Sequence, residues 1–338
     1  MRIPKWTSVT ALLLTAAPLP APLRAQATRR ILPDTLLLVR SIGDSGSEVL
    51  YEPQILSATP DGRLVIFDSG EEAVREFTAD GREGWHFGRK GQGPGEFEGA
   101  SDVDVEANGD ILVLDNINRR ITRLDSTGKL LGMTRIPNGV EPTCLLPPTA
   151  EDRLVVGTLS TRLLWQSMST NGEPERSQVL PPGVSYQSEL VGEASSAFLA
   201  SGAVMVYRWS GTMVLLDGDG AVRKVLEGIE PLPFPVAKSH AAEIPGLHNA
   251  HVTRVDPEAP QAALSVSARD HRIFVLFEGT TGDAGKVVDI YDDSRGAYVG
   301  SVALPVRPIS IAALPGGRLA TLEADMVPVI RIWKIERK

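Results

Sequence analysis

Residues 88–124 read GRKGQGPGEFEGASDVDVEANGDILVLDNINRRITRL, and this stretch decides the fold. A loop rich in glycine and proline leads into one strand, an Asn108-Gly109 turn and a second strand. The sequence Asp-Asn-x-Asn-Arg at 115–119 then turns the chain into a third strand. Asn-Gly pairs join antiparallel strands through tight turns that need a positive φ. The stretch therefore predicts a small antiparallel sheet of short strands.

The same pattern recurs along the chain. Gly62 and Gly109 each lie in a first turn, and each is followed 19 residues later by a second turn glycine, Gly81 or Gly128. Weaker copies complete six units, at approximately 53–88, 100–136, 142–180, 193–229, 261–304 and 308–335. Four short strands cannot bury both faces of one sheet alone, so six such units predict radial packing. A two-sheet sandwich is the alternative, but it would not explain six equal periods.

We therefore predict an all-β fold, a six-bladed β-propeller of four-stranded antiparallel blades. The last unit has only three strands after Pro308, whereas an unpaired strand precedes the first unit at 35–42. We expect this N-terminal strand to be the outer strand of the last blade. Residues 230–261 form an inserted connection between the fourth and fifth blades.

The first 27 residues have the pattern of a signal peptide. Arg2 and Lys5 precede an apolar run from Val9 to Ala17, and Ala25-Gln26-Ala27 matches an A-x-A cleavage site. The run is far shorter than the ~20 residues of a membrane-spanning helix. We expect an exported protein, periplasmic or secreted, that has no membrane span and is a monomer.

The chain is acidic, with a formal net charge of −8. Removing the predicted signal peptide takes away three basic residues and no acid, so the mature chain is more acidic still. An acidic surface repels polyanions, which argues against a nucleic-acid partner. Cys144 is the only cysteine and stands among apolar residues. It therefore has no partner for a disulfide in this chain, and we predict a buried thiol.

Residues 88–132 closely resemble an NHL repeat, which runs through a G-x-G-P-G-E-F loop, a strand, a (D/N)-G turn, a V-x-D strand end and an N-x-R-I corner. The match is moderate over 57–88 and faint elsewhere. The whole chain resembles the exported bacterial six-bladed propellers of the NHL/TolB-like group. The resemblance implies the fold. It does not imply one function, because the group includes lyases, lactonases, nucleic-acid binders and protein scaffolds.

Loop lengths distinguish the two faces of the predicted disc. The first-to-second and third-to-fourth turns of each blade are short and share the tight-turn face. The opposite, loop-rich face is predicted to carry the 89–99 loop, the 68–74 and 115–120 corners, an enlarged corner at Gly279–Gly285 and the 230–261 connection. Function in propellers is carried by loops on a rigid scaffold, so we place the candidate site on the loop-rich face.

Several residues are candidates for ligand binding on this face. We expect one charged set to ring the mouth of the central channel: Glu52, Asp102, Glu141, Glu193 and Arg307. Trp165, Tyr207 and Trp209 flank the blade corners and would form an aromatic wall, although packing between blades also explains such aromatics. Asp68 and Asp115 end second strands, and we assign them structural roles as acceptors for the following corner. Arg119 or Arg120 is a potential ion-pair partner for such a carboxylate.

Two metal sites are conceivable from the residue types. His248 and His251 within one helical turn would place two imidazoles beside a zinc ion, but no H-E-x-x-H pattern accompanies them. A calcium site would need carboxylates such as Glu52, Asp102 and Glu141 to converge on one ion. No cofactor is predicted from the sequence.

The leading hypothesis is an exported, non-catalytic propeller that binds a protein, peptide or small ligand on the loop-rich face. The alternative is a metal-dependent propeller hydrolase, similar to lactonases or esterases, or a lyase, with its site at the channel mouth. Convergence of the mouth carboxylates would favour the alternative.

Overall fold

The computed structural model describes residues 28–43, 48–148, 154–244, 247–256 and 258–336. Among these residues, six four-stranded antiparallel sheets contain all of the strands except the two of a separate hairpin. The first strand of each blade contacts the first strands of both neighbouring blades, so the six sheets close a ring. The predicted six-bladed propeller is thus confirmed. The predicted signal peptide, 1–27, lies outside the described residues and stays a prediction.

The strands follow the repeat in order. After β1 (Thr35–Ile42), blade 1 consists of β2 (Pro53–Ala58), β3 (Leu64–Asp68), β4 (Ala73–Phe77) and β5 (Glu83–Phe87). Blade 2 consists of β6 (Ala100–Val105), β7 (Ile111–Asp115), β8 (Arg120–Leu124) and β9 (Leu130–Arg135). Blade 3 consists of β10 (Pro142–Leu146), β11 (Leu154–Thr158), β12 (Leu163–Met168) and β13 (Pro174–Val179).

The second half of the ring continues in the same way. Blade 4 consists of β14 (Ala194–Leu199), β15 (Gly202–Tyr207), β16 (Met213–Asp217) and β17 (Val222–Leu226). A separate hairpin, β18 (Lys238–Ile244) and β19 (Leu247–Arg254), follows. Blade 5 consists of β20 (Ala263–Arg269), β21 (Arg272–Phe277), β22 (Val287–Asp292) and β23 (Ala297–Ala303), and blade 6 contains β24 (Ser310–Leu314), β25 (Arg318–Glu323) and β26 (Val329–Glu336).

The N-terminal strand closes the ring as predicted. β1 pairs antiparallel with β26, so the sheet order of blade 6 is β1-β26-β25-β24. The first and last strands of the described chain therefore share one sheet, and the closure uses backbone hydrogen bonds instead of a disulfide.

Central strands explain the apolar runs in the sequence. All five residues of β3 and of β7 are buried, because both faces of a middle strand are covered by the neighbouring blades. One hydrophobic cluster joins Val65 and Phe67 of blade 1 to Val103 and Val113 of blade 2. Burial between blades, rather than within one blade, therefore stabilises the ring.

The long connection between blades 4 and 5 contains a β-hairpin where a helical turn was expected. Residues 238–244 pair with 247–254 in a two-stranded antiparallel sheet that is not hydrogen-bonded to any blade. A short 3₁₀ helix at Glu189–Val191 is the helical element among the described residues. None of the described part of the chain forms a helix long and apolar enough to cross a bilayer.

Candidate functional site

The sequence motif at 88–99 builds a packed connection and not a binding loop. Gly93 donates its backbone N–H to the Glu96 carboxylate at 2.7 Å. Arg120 from β8 donates to the carbonyl oxygens of Gln92, at 2.9 Å, and Glu96. Phe97 is fully buried between the first two blades. The polar groups of this loop are therefore used to hold its own shape.

Asp115 has the structural role that its position predicts. It is fully buried and accepts hydrogen bonds from the Asn118 backbone N–H at 2.9 Å and the Asn118 side-chain amide at 2.8 Å. It also accepts from the Glu98 N–H at 3.1 Å. The expected arginine pairing is wrong, because Arg119 donates to the carbonyl oxygens of a neighbouring loop and Arg120 to the 88–99 loop.

Asp68 is the equivalent residue in blade 1, and it has an arginine partner in addition to its backbone N–H donors. It accepts from the backbone N–H groups of Tyr51 at 3.0 Å, Glu52 at 2.8 Å and Gly70 at 3.2 Å. The buried Arg75 guanidinium lies 3.2 Å from the same carboxylate. Asp68 thus fixes the end of the β1–β2 connection to the blade 1 corner, on the loop-rich face.

The charged residues predicted to ring the channel mouth are held by separate local partners. The pairs and their atom distances are Glu52 with the Ser69 hydroxyl (3.4 Å), Glu141 with Arg119 (3.3 Å), Glu193 with Arg208 (3.5 Å) and Arg307 with Glu278 (2.7 Å). Among the described residues, no three or more His, Cys, Asp or Glu side chains are grouped as a metal site requires. The convergence of Glu52, Asp102 and Glu141 that a shared ion would need is therefore not found.

Asp102 lies inside the channel instead of at its mouth. It is the third residue of β6, and its Oδ2 accepts a hydrogen bond from the Leu145 N–H of blade 3 at 2.7 Å. The predicted position of Asp102 at the channel mouth is therefore wrong. Strand β6 begins at Ala100, two residues earlier in the chain, so Asp102 lies further along the strand, inside the channel. Asp102 therefore connects two blades.

Other inner strands are connected in the same way. An inner strand is the edge of its sheet, so some of its N–H groups have no partner within the blade. Side chains from neighbouring blades accept these bonds: Ser310 from Leu56 (3.2 Å), Ser265 from Ile311 (3.2 Å), Ser267 from Ala313 (2.9 Å) and Thr143 from Ala194 (2.8 Å). Ser265, Ser267 and Ser310 of the channel wall are therefore explained by inter-blade hydrogen bonding.

The channel is a cavity of about 610 Å³ and contains two neighbouring acids. Asp102 and Asp104 both line it and are partly buried. Burial raises the pKa of Asp102 to about 6. Burial, together with the nearby charge of Asp102, raises the pKa of Asp104 well above its ordinary value. The fold thus raises the pH at which these two carboxyl groups lose their protons.

The three predicted aromatic wall residues are buried between blades 3 and 4. Trp165 donates its indole N–H to the Gly220 carbonyl at 2.8 Å, and Tyr207 and Trp209 belong to the same hydrophobic cluster. Phe234 of the inserted connection packs on Tyr207, with ring centroids 5.7 Å apart. The expected wall for a ligand is wrong, because inter-blade packing covers all three rings.

The helical turn that motivated a zinc site is absent. His248 and His251 lie in strand β19, and the side chains of residues 239–253 lie outside the described part of the structure. The zinc assignment therefore stays a prediction, without its helical premise.

A cation pocket in blade 5 was not predicted from the sequence. The Arg29 guanidinium contacts Asp289 through two bonds, Nε to Oδ1 at 3.0 Å and Nη2 to Oδ2 at 3.2 Å. Its Nη1 lies 3.2 Å from Glu230 and 3.3 Å from Asp283, and its central carbon lies 3.7 Å above the Phe277 ring. Three carboxylates and an aromatic face thus surround one guanidinium.

The electrostatics of this pocket favour a cation strongly. The side chains of Arg29 and Asp289 are only 7% and 5% exposed. Burial alone would lower the pKa of Arg29, but the carboxylates around it raise it. The Thr281 hydroxyl and then Arg29 hold the pKa of Asp283 below its usual value. Glu230 comes from the inserted connection and Asp283 from the enlarged corner, so the two insertions recognised in the sequence meet here.

Exposed apolar side chains distinguish the two faces. None of the described tight-turn loops carries an exposed large apolar residue. The loop-rich face carries Val49, Tyr51, Ile117, Leu190, Val236, Ile309, Met326 and Val327. Gly43 lies against the Pro328 carbonyl and the Leu50 side chain, so the loops that carry Val49, Tyr51, Met326 and Val327 are adjacent.

Comparison with known proteins supports the fold. A family described as a 6-bladed beta-propeller matches residues 53–154. No curated protein matches the sequence significantly. Among solved structures, virginiamycin B lyase from Staphylococcus aureus is 10% identical, with a TM-score of 0.53 and coverage of 88% of this chain and 99% of the lyase chain.

Two further structures are similar over most of their length. The PQQ-bound aldose sugar dehydrogenase of Streptomyces coelicolor is 14% identical, with a TM-score of 0.50 over 91% of this chain and all of that chain (100%). Hydrazine synthase of Kuenenia stuttgartiensis is 11% identical, with a TM-score of 0.50 over 88% of this chain and 98% of that chain. At these identities the likeness establishes a six-bladed β-propeller and leaves the activity open.

Proposed function

We propose that this protein is an exported, non-catalytic propeller that binds a protein or peptide on its loop-rich face. One observation carries the proposal: the exposed large apolar side chains in the loops lie on that face, and the described tight turns have none. Contiguous exposed apolar groups on a soluble domain are typical of interaction surfaces. Ser265, Ser267 and Ser310 of the channel wall are engaged in hydrogen bonds between blades, which leaves them less available to a small ligand in the channel.

The most exposed apolar part of this face consists of two adjacent loops, 48–52 and 324–328. Met326 is fully exposed, and Val327, Val49 and Tyr51 are each more than half exposed. Asp68 and Arg75 hold the first of these loops, since Arg75 also donates to the Val49 carbonyl at 2.7 Å. Apolar side chains on a rigid support bind a partner with little loss of conformational entropy.

The metal-dependent hydrolase or lyase is not favoured by the geometry, because Glu52, Asp102 and Glu141 each have separate partners. Export rests on the N-terminal pattern of the sequence. Assignment to the NHL/TolB-like group rests on the residues at 88–132, and it is compatible with a scaffold role.

Photo-cross-linking tests the face directly. A photoreactive amino acid is placed at Met326 and, as a matched control, at Asp219, which is exposed on the tight-turn face. In living cells of the source organism, we expect a defined protein adduct from position 326 and none from position 219. Equal adducts from both positions would contradict the proposal, as would no adduct from positions 326, 51 and 117.

A further inference from the structure

We propose that the cation pocket of blade 5 and the adjoining edge of β23 form a binding site for an extended peptide with an arginine three residues before an apolar residue. This inference goes beyond the proposed function, because the site lies at the outer strand of blade 5 and not in the loops 48–52 and 324–328. In the structure, the chain's own N-terminal segment, Thr28-Arg29-Arg30-Ile31-Leu32, occupies the site.

The segment is bound in the way an added peptide strand would be. Ser301 of β23 donates its N–H to the Arg30 carbonyl at 2.8 Å, and Leu32 donates to the Ser301 carbonyl at 2.8 Å. Ile31 and Ser301 form a parallel bridge. Such backbone pairing with an edge strand supplies affinity for an extended peptide of any sequence.

Side-chain contacts on either side of this pairing supply specificity. Arg29 enters the pocket of Asp289, Asp283 and Glu230 over the Phe277 ring. The bidentate contact with Asp289 suits the planar fork of arginine better than the ammonium of lysine. Three residues later, Leu32 lies over Gly300, where an added Cβ would come within 2.6 Å of the leucine side chain. The occupied pattern is therefore Arg-x-x-Leu.

The pocket has more negative charge than one guanidinium neutralises. Asp289 lies in strand β22 of the blade, and it alone makes the bidentate contact. Glu230 and Asp283 come from the two insertions, which the other blades lack. Three carboxylates facing one guanidinium retain a net negative charge, which favours a basic incoming peptide.

The occupying segment is separable from the strand that closes the propeller. β1 begins at Thr35 and keeps its own pairing with β26. Pro33, between the two, has no N–H and interrupts the backbone pairing. Ile31 is 48% exposed. Residues 28–32 are thus free to leave blade 5 while β1 remains in blade 6.

A peptide titration tests the site. The chain beginning at residue 28 and its Arg29→Ala variant are titrated with fluorescent acetyl-Thr-Arg-Arg-Ile-Leu-amide, and binding is measured by anisotropy. We expect the variant to bind the peptide at least about tenfold more tightly than the unmodified chain, because the internal competitor has lost its anchor. The matched control Arg30→Ala removes only an exposed contact of that side chain with the Val299 carbonyl and keeps Arg29 in the pocket, so it should bind the peptide nearly as weakly as the unmodified chain.

Two changes test the recognition chemistry. Alanine in place of the first arginine of the peptide should weaken binding to the Arg29→Ala variant at least about tenfold, as should adding Asp283→Asn to that variant. No binding to the variant, or binding that neither change weakens, overturns the proposal. Exchange of the segment between two copies, seen as a concentration-dependent dimer without peptide binding, overturns it too.

Hydrogen exchange on the unmodified chain gives a second test that needs no substitution. The amides of Leu32 and Ser301 should exchange at least about tenfold faster than those of the β1–β26 ladder, because local opening exposes the first set alone. Equal protection of both sets would show that the segment does not leave, and it would overturn the proposal. Neither failure would alter the cross-linking result, which tests the loop-rich face itself.

Discussion

Replacing Asp68 by alanine should destabilise the protein and loosen the proposed binding face together. The carboxylate is completely buried and accepts from three backbone N–H groups at 2.8–3.2 Å. It also pairs with Arg75, whose side chain is only 5% exposed. Hydrogen bonds to a charged group contribute about 1.5–3 kcal/mol each.

Not all of that energy is lost in the variant. Tyr51, Glu52 and Gly70 are exposed residues, so water can reach part of their backbone, and Arg75 keeps Glu83 at 2.8 Å. We therefore expect a loss of roughly 3–5 kcal/mol in the free energy of unfolding, within the range for breaking a buried ionic network. For a chain of this size, the loss corresponds to a fall in Tm of about 10 °C.

Asp115→Ala is the matched control, because Asp115 ends the equivalent strand of the next blade and the Asp115 carboxylate accepts hydrogen bonds from backbone and amide N–H groups instead of pairing with an arginine. The free energy of unfolding should fall less in this variant, by about 2–3 kcal/mol. Denaturant unfolding measures both variants, and hydrogen exchange should show faster exchange at 49–52 in the Asp68 variant alone. A loss for Asp68→Ala below about 1 kcal/mol, or no larger than that for Asp115→Ala, would refute the reasoning.

Three further predictions concern the core and the channel. Burial raises the pKa of the Cys144 thiol, so an alkylating reagent at pH 8 should label it only after unfolding, as mass spectrometry would show; rapid labelling of the native protein would contradict its burial. Asp102 and Asp104 have raised pKa values, so they stabilise the fold fully below pH ~4, the ordinary pKa of an aspartate. The part due to Asp102 is lost as the pH rises through about 6, and the part due to Asp104 is lost as the pH rises above the ordinary value, so Asp104→Asn should gain stability relative to the unmodified protein as the pH rises above ~4, by denaturant unfolding; a constant difference would exclude titration of this pair. Phe97→Ala should cost about 3–5 kcal/mol, because the ring is fully buried and packs edge-on against Phe67 and Phe87; a cost near zero would show that the 88–99 loop is not packed as described.

Periodicity predicted the architecture well because backbone geometry leaves local marks in a sequence. Turn glycines such as Gly62 and Gly109 have φ of 92° and 91°, a region that side chains disfavour. The unpaired strand at 35–42 predicted the closure, since an unpaired strand in a ring of sheets needs a partner. Asp68 and Asp115 were assigned correctly because a corner following a strand needs an acceptor.

The candidate site was harder to predict because it depends on contacts between distant residues. Asp289 and Arg29 are separated by 260 positions, and the sequence around each residue contains no pattern that predicts their contact. The two insertions could be recognised in the sequence because these connections are longer than their counterparts in other blades. Their contact in the folded protein could not be predicted. Trp165, Tyr207 and Trp209 could be interpreted as a ligand wall or as inter-blade packing, because an aromatic side chain has the same sequence signal whether it faces a ligand or the next blade.

Metal analysis of the purified chain beginning at residue 28 tests the non-catalytic binding role most directly. Glu52, Asp102 and Glu141 are held by separate partners and do not converge. A binding role therefore predicts no stoichiometric ion after dialysis against calcium and zinc. About one ion per chain, lost in the Asp102→Asn variant, would contradict that role and support a metal-dependent enzyme at the channel.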